Sequence, residues 1–371
     1  MGTISAAKIE NNVNSDGKLA AKDYFVNHVN QVVAEVDQRM NGELAQEPSE
    51  YPCIDISSWM TTDNKKFNQE DRDKVAAQVA QQAIEAGSFN IVGHGIDLEF
   101  LDRLDEQSKK FFGMSLEDKK KHSIEASHHG YIPIQSESAS TIYNRQDCKE
   151  TEKKDLRELF AAVYPVEGNE SEEPSFYREV LNEFMHHMNK LDRVLHKILA
   201  LALARAKGVT LPESLFNDAK GTATAGLLRV SHYASMPPEF DNAFKLAPHS
   251  DWGPLTILYS HQVQGLEEER DGKWIQVPAR RGEVHIVIGE VISAWSNLLF
   301  KNNVHYVSQQ APPDRVSYAY FCGQGFDLTR RDTDEDGMEP VCAPGETPKF
   351  GRISPRSHLL EYTKVYLSSN E

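Results

Sequence analysis

His249 and Asp251 lie two residues apart, directly before a largely apolar run at 254–258 that is typical of a β-strand. Side chains at positions i and i+2 of an extended segment point to the same face, so this imidazole and this carboxylate can reach one ion together. His305 lies in a second strand-like segment far downstream and can supply a third ligand. Two histidines and one carboxylate leave positions open on a six-coordinate ion, an arrangement that suits Fe(II). A His-x-Asp pair also occurs by chance in many chains, so the remaining residues must decide whether this is a metal site.

The charge of the chain limits its partners. Its 371 residues carry a formal net charge of −16 at pH 7. This argues against a nucleic-acid partner, because phosphates are bound through an excess of Lys and Arg. It also disfavours binding to an anionic membrane surface. No apolar run approaches the ~20 residues that cross a bilayer, so we expect neither a nucleic-acid nor a membrane partner.

The N-terminus and the cysteines indicate where the protein resides. The N-terminus lacks the apolar segment of a secretory signal peptide. The cysteines are widely scattered without a C-x-x-C pair, which argues against a disulfide framework or a thiolate zinc site and suits a reducing compartment. They are Cys53, Cys148, Cys322 and Cys342. We expect a cytoplasmic protein, and we expect it to act as a monomer.

The hydrophobic pattern divides the chain into three parts. Residues 1–48 are polar and contain a helical stripe from about Leu19 to Met40, which predicts a helix lying on the body, with a partly disordered arm as the alternative. Residues 49–208 are rich in predicted helices, of which the clearest spans 174–207. Residues 209–371 predict short strands separated by Gly, Pro and Asp-Gly, followed by a helix at 357–367. We therefore predict an α+β fold in which a helical region packs on an antiparallel sandwich or jelly roll, in one integrated domain.

One long segment has no periodicity. Residues 123–152 are dominated by Ser, Gln, Asn and charged side chains. Loops of this length in compact domains are usually functional or mobile. We interpret the segment as a flap on the substrate side, with a plain surface excursion as the alternative.

Further motifs accompany the three candidate ligands in a fixed order. Arg315 and Ser317 form an R-x-S motif that begins ten residues after His305. Segment 264–278 has the pattern of a β-hairpin, and segment 289–297 resembles G-D-x-x-x-x-x-S-N. In the N-terminal half, segment 87–96 resembles G-F-F-x-V-x-N-H-G-I and segment 111–119 resembles F-F-x-L-P-x-E-x-K. Across roughly residues 50–367 the chain thus resembles the iron(II)- and 2-oxoglutarate-dependent dioxygenases, in particular the branch of isopenicillin N synthase and the plant flavonoid and gibberellin oxygenases.

The resemblance implies a fold, a reaction and roles for these residues. It implies a double-stranded β-helix, or jelly roll, whose His249, Asp251 and His305 are catalytic and bind Fe(II). 2-Oxoglutarate chelates the iron, and its other carboxylate needs a planar cation that stays charged, which matches an arginine. The implied anchors of this cosubstrate are Arg315, Ser317 and Tyr233. With O2, such enzymes release succinate and CO2 while they hydroxylate, desaturate or cyclise a small-molecule substrate.

The sequence indicates substrate contacts only weakly. We expect a natural-product or amino-acid-like substrate of secondary metabolism. Candidate contacts on the irregular segment, beside the metal and on the last strand are Tyr143, Asn144, Arg145, Trp252 and Phe321. The guanidinium of Arg145 could pair with a substrate carboxylate, although a solvated loop arginine is the simpler interpretation.

Other functions remain as alternatives. An isopenicillin N synthase-like oxidase would take no 2-oxoglutarate and yet retain the R-x-S motif. A non-catalytic binding protein on the same fold usually loses a metal ligand, and none is lost here. The chain departs at four positions from the residues that are usual in its plant relatives. It has Ser231 and Val287 where they usually carry Asn, Glu290 where they carry Asp, and Tyr306 where they carry Arg. The substrates of those relatives should therefore not be assigned to this chain.

Overall fold

The computed structural model describes residues 17–36, 45–60, 68–124, 129–136, 155–163, 175–220, 226–235, 244–324 and 336–368. Its helices are α1 (Ala21–Val36), α2 (Ser57–Met60), α3 (Gln69–Glu85), α4 (Leu98–Phe112), α5 (Leu116–Lys120), α6 (Ser175–Lys207), α7 (Leu215–Ala219), α8 (Glu290–Trp295) and α9 (Pro355–Ser368). Its strands are β1 (Cys53–Asp55), β2 (Ser88–Val92), β3 (Ser123–Ile124), β4 (His129–Ile132), β5 (Glu158–Val163), β6 (Leu227–Tyr233), β7 (Leu246–His249), β8 (Leu255–Ser260), β9 (Leu266–Arg270), β10 (Lys273–Gln276), β11 (Val284–Ile288), β12 (His305–Val307) and β13 (Arg315–Phe321).

The strands form two sheets that enclose the interior of a jelly roll. The larger sheet has nine strands in the order β1-β2-β11-β8-β13-β6-β5-β4-β3, and the smaller has four in the order β10-β9-β12-β7. All pairs are antiparallel except β1 with β2, which is parallel. Side chains from both sheets meet between them, where Tyr233 packs with Leu246, Leu266 and Val307. The predicted α+β fold with a jelly-roll core is thereby confirmed.

The outer face of the larger sheet is covered by helices. Apolar residues of α6, such as Phe184 and Leu191, share one buried cluster with Ile257, Ile286 and Tyr318 of the sheet. Because helices cover one face and the jelly-roll interior the other, all five residues of β11 are buried. The helical stripe predicted at 174–207 is present as α6, Ser175–Lys207, and residue 174 lies outside the described residues.

Three boundaries differ from the sequence prediction. The described part of the N-terminal helix begins at Ala21 and ends at Val36, within the predicted span. The C-terminal helix is longer than predicted, from Pro355 to Ser368. The segment expected to be irregular from residue 123 contains the strands β3 and β4. Strand β4 forms because β5 supplies a hydrogen-bonding edge, through the pairs Gly130–Ala161 and Ile132–Leu159, and a local pattern does not reveal such a partner.

A buried ion cluster fixes α6 to the segment before β6. Lys220 Nζ donates to both carboxylate oxygens of Asp192 at 2.9 Å, and His196 Nδ1 lies 2.6 Å from Asp192 Oδ1. Burial acts to raise the pKa of the Asp192 carboxyl, but His196 and Lys220 outweigh it and hold that pKa below its usual range. The cluster therefore contributes a charge pair that is stable only while the carboxylate is ionised.

Replacing Asp192 with asparagine should lower the free energy of unfolding by about 3 kcal/mol, because it leaves the ammonium of Lys220 buried without its counter-charge. Urea unfolding at neutral pH measures the change. A carboxyl group whose pKa is lower in the folded protein than in the unfolded chain stabilises the fold at any pH above the unfolded pKa. This stabilisation is lost as the pH falls below about 4. The difference between wild type and variant should therefore shrink in acid. Asp218→Asn, an exposed change on α7, is the matched control, and equal stability of all three proteins would contradict the prediction.

Candidate iron and 2-oxoglutarate site

The three predicted metal ligands converge in the interior of the jelly roll. His249 ends β7 and His305 begins β12, and the two residues lie directly opposite each other in the antiparallel pair. Their ring centroids are 4.4 Å apart. Asp251 Oδ1 lies 3.7 Å from His249 Nε2 and 3.8 Å from His305 Nε2. One ligand atom from each residue lies within 4.8 Å of the others, so the group can hold one metal ion.

Hydrogen bonds orient both imidazoles for metal binding. His249 Nδ1 lies 2.9 Å from the carbonyl oxygen of Ala247, and His305 Nδ1 lies 3.4 Å from that of Asn303. Since a carbonyl only accepts, Nδ1 carries the proton and Nε2 presents a lone pair. Burial, assisted by His305, lowers the pKa of His249 well below its usual value. His249 is thus held in the neutral form that binds metals.

Asp251 has an unsatisfied oxygen that fits a metal ion. Its side chain is buried, and Oδ2 has no hydrogen-bond partner among the described residues. A buried carboxylate oxygen without a partner is unfavourable in an apolar interior. A divalent cation between the two Nε2 atoms and this carboxylate would satisfy it.

Arg315 forms the second part of the site. Its guanidinium is only 1% exposed, and its Nε and Nη1 atoms have no hydrogen-bond partner among the described residues. It lies over the ring of Tyr233, 5.0 Å from the centroid, and these two residues pair across β13 and β6. Burial lowers the pKa of Arg315, with Tyr233 opposing the change, but an arginine remains charged under these conditions.

The surroundings of Arg315 suit the terminal carboxylate of 2-oxoglutarate. A cavity beside the guanidinium is lined by residues of both sheets, including Leu258, Ser260, Leu266 and His285. Ser317 lies two residues along the same strand and therefore on the same face as Arg315. A carboxylate in this cavity would compensate the buried cation and accept a hydroxyl hydrogen bond.

The structure describes only two of the five residues that were predicted to contact the substrate. Trp252 stacks on Tyr362 of α9, with ring centroids 4.6 Å apart and planes 3° apart. Phe321 ends β13, on the face shared by Arg315 and Ser317. Tyr143, Asn144 and Arg145 lie outside the described residues. The substrate role of all five stays a prediction.

The structure adds polar residues that the sequence analysis did not identify. Arg157 donates from Nη1 to Ser231 Oγ at 3.1 Å, and its charge helps to lower the pKa of His249, so it lies near the metal site. The short side chain of Ser231 thus accommodates the guanidinium of Arg157.

A buried network also lies beside the ligand His305. Glu268 on β9 pairs with His305 on β12. Its carboxylate accepts hydrogen bonds from Tyr51 at 2.8 Å and from Ser88 at 2.6 Å. His285 Nδ1 lies 2.9 Å from Asn90 Oδ1. No local sequence pattern marks these contacts, because each joins residues that are far apart in the chain.

This combination of fold and site defines the chain as a non-haem iron oxygenase. Two family models match it: the N-terminal region of non-haem dioxygenases in morphine synthesis at residues 51–183, and the 2OG-Fe(II) oxygenase superfamily at residues 225–324. The chain belongs to the iron(II)- and 2-oxoglutarate-dependent dioxygenase family.

Similar proteins support this assignment. Feruloyl CoA ortho-hydroxylase 1 of Arabidopsis thaliana is 27% identical over 296 residues, covering 78% of this chain and 74% of its own. The 2-oxoglutarate-dependent dioxygenase tropC of Talaromyces stipitatus is 27% identical over 308 residues, and the match covers 78% of this chain and 90% of tropC. The crystal structure of a full-length Neurospora crassa protein in complex with alpha-KG has a TM-score of 0.68 at 18% identity, covering 88% of this chain and 100% of that one, and it shows the same fold.

The predicted class of enzyme and its cofactors are thereby confirmed. The protein is a dioxygenase that uses Fe(II), 2-oxoglutarate and O2. It oxidises a small-molecule substrate with release of succinate and CO2.

Proposed function

We propose that His249, Asp251 and His305 bind the iron of this dioxygenase and that Arg315, with Ser317 and Tyr233, binds its 2-oxoglutarate. The observation that carries this assignment is the pair of buried, unsatisfied charged groups, Asp251 Oδ2 and the Arg315 guanidinium. One requires a cation and the other an anion, and the two cofactors supply these charges. The R-x-S motif and the His-x-Asp motif lie within the matched superfamily region at 225–324.

Each residue then has a physical task. Bound iron and 2-oxoglutarate supply an oxidative decarboxylation that is coupled to oxidation of the substrate. The two imidazoles and Asp251 would hold the metal through three ligand atoms, which leaves further coordination positions for the cosubstrate and O2. Arg315 fixes the far carboxylate of the cosubstrate through charge-assisted hydrogen bonds. The buried surroundings exclude bulk water from the reacting centre.

We further propose a natural-product or amino-acid-like substrate that is hydroxylated, desaturated or oxidatively cyclised. Relatives that bear names for such activities, including a feruloyl CoA ortho-hydroxylase, support a small molecule. The net charge of −16 supports the absence of a nucleic-acid partner. The described cysteines, Cys53, Cys322 and Cys342, are free, in keeping with a cytoplasmic protein. We propose a monomer.

We also propose that residues 49–208 and 209–371 form one integrated domain, with residues 1–48 as an arm. The strands of 209–371 form the centre of the nine-stranded sheet and strands of 49–208 flank them on both sides, where β2 pairs with β11 and β5 pairs with β6. Helix α1 packs on α9 and the smaller sheet through Val29, Tyr362 and Tyr306. Separately, no helix among the described residues is long and apolar enough to cross a bilayer.

An anaerobic titration tests the assignment of the site. Adding Fe(II) and then 2-oxoglutarate to the metal-free protein should produce the weak visible charge-transfer band of the chelate. In air, a screen of small-molecule pools should then reveal the substrate by 2-oxoglutarate-coupled release of succinate. Absence of the band, together with no succinate from any pool, would contradict the proposal, whereas substrate oxidation without 2-oxoglutarate would favour the oxidase alternative.

A further inference from the structure

Glu290 is a fully buried carboxylate that connects the metal-binding loop with the C-terminal helix. Its Oε1 accepts a hydrogen bond from Ser250 Oγ at 2.6 Å. Its Oε2 lies 2.7 Å from both His358 Nε2 and Tyr362 Oη. Ser250 stands between the two ligands of the His-x-Asp motif, and the other two donors lie on α9. A single carboxylate therefore joins two elements that are distant in the chain.

The backbone of the same loop is also held by the start of α8. Glu290 N–H donates to the carbonyl oxygen of Asp251 at 2.9 Å, and Val291 N–H donates to that of Gly253 at 3.2 Å. The approach is so close that a Cβ atom on Gly289 would lie 2.1 Å from the Gly253 carbonyl oxygen. The position of Asp251 thus depends on where Glu290 lies.

The C-terminal helix contacts the loop on its other side as well. The ring of Tyr362 stacks on Trp252, the residue that follows Asp251. The neighbours of Asp251 on either side are therefore both linked to α9, one through Glu290 and the other through this stack. Asp251 itself turns towards the two histidines.

The three hydrogen bonds are energetically significant because they serve a buried charge. Burial raises the pKa of the Glu290 carboxyl above its usual value, and the hydrogen bonds from His358, Ser250 and Tyr362 act against that rise. Each donor that is removed leaves the buried carboxyl group less satisfied, and the group is then held less firmly in place. The side chain of Glu290 is long enough to contact Ser250 with one carboxyl oxygen and α9 with the other.

We propose that His358 and Tyr362 are positioning residues for the iron site, which act through Glu290 and Trp252 to fix Asp251. This inference rests on the proposed iron-binding role of Asp251. Both residues lie beyond the segments that the family models match, 51–183 and 225–324. The C-terminal helix thereby contributes to iron affinity although it supplies no ligand.

Tyr362→Phe tests the proposal because it removes one hydrogen-bond donor and retains the ring that stacks on Trp252. Loss of a group that orients metal ligands typically weakens metal binding by about 10–100-fold. We expect the Fe(II) concentration that gives half of the anaerobic chelate band to rise by about tenfold. His358→Gln retains a donor and should show a smaller rise. Thr363→Ala is the matched control, since the Thr363 hydroxyl donates to the Leu360 carbonyl oxygen of its own helix and to no other group in the described part of the chain.

A double-mutant cycle separates positioning from a merely structural role. If Ser250 and Tyr362 act through the same carboxylate, the effects of Ser250→Ala and Tyr362→Phe on iron affinity should not add. A lower melting temperature of the metal-free protein with unchanged iron affinity would overturn the proposal, as would fully additive effects. Failure of the iron-binding role of Asp251 itself is distinguishable, because Asp251→Ala would then retain the chelate band.

Discussion

Asp251→Ala should abolish iron binding and, with it, 2-oxoglutarate-dependent turnover. The substitution removes the only carboxylate of the ligand group, and Asp251 Oδ2 is the atom that the structure leaves buried without a partner among the described residues. Changing residues that merely orient ligands costs about 10–100-fold in metal affinity, so loss of a ligand should exceed about 100-fold. Anaerobic titration with Fe(II) in the presence of 2-oxoglutarate measures the loss through the chelate band.

The metal-free protein provides the control for this variant. Without iron, the buried carboxylate has no counter-charge at the site, so its removal should leave the melting temperature unchanged or raise it. Asp271→Asn changes an exposed acid in the β9–β10 turn and should retain normal iron binding. A strong chelate band from Asp251→Ala would show that this carboxylate is not a ligand.

Arg315→Leu should raise the 2-oxoglutarate concentration required for half-maximal turnover by about 100-fold. Truncating one partner of a buried charge pair typically costs about 2–5 kcal/mol, and each 1.4 kcal/mol corresponds to a factor of ten. Iron binding without cosubstrate should change little, since Arg315 belongs to a different strand from the ligands and is not among them. Steady-state kinetics at saturating iron, followed by succinate release, measure the effect.

Two further variants sharpen the interpretation of Arg315→Leu. Arg315→Lys retains the charge without the planar fork and should fall between wild type and Arg315→Leu. Ser317→Ala removes one neutral donor, worth about 1 kcal/mol, and should raise the requirement only about fivefold. An unchanged 2-oxoglutarate requirement in Arg315→Leu would instead favour an oxidase that retains the R-x-S motif without using this cosubstrate.

The parts of the site that could be predicted from the sequence are those that depend on local spacing. The alternation of side chains along a strand was sufficient to place His249 and Asp251 on one face and to pair Arg315 with Ser317. His305 is a candidate third ligand from its own strand-like segment, and the resemblance adds Tyr233. In the structure, His305 lies opposite His249 and Tyr233 lies opposite Arg315, each across a strand pair.

The parts that could not be predicted depend on which distant segments become neighbours. Glu290 reaches two donors about 70 residues further along the chain, and one of them is a tyrosine in a helix with no distinctive pattern. Arg157 reaches Ser231 only because β5 pairs with β6. Strand order in the nine-stranded sheet is likewise a property of tertiary packing, since hydrophobic alternation specifies the face of a strand but not its partner.

The interleaved order of strands in the larger sheet constrains how the protein folds during its synthesis. Strand β2 has four buried residues of its five, yet its antiparallel partner β11 follows almost two hundred residues later. At typical translation rates this apolar strand waits about 10–40 s for that partner. The central strands β6, β8 and β13 also follow late, so the sheet forms only after most of the chain has left the ribosome. We expect chaperones to protect β2 during this interval, and folding to be slow because its essential contacts are so distant in sequence.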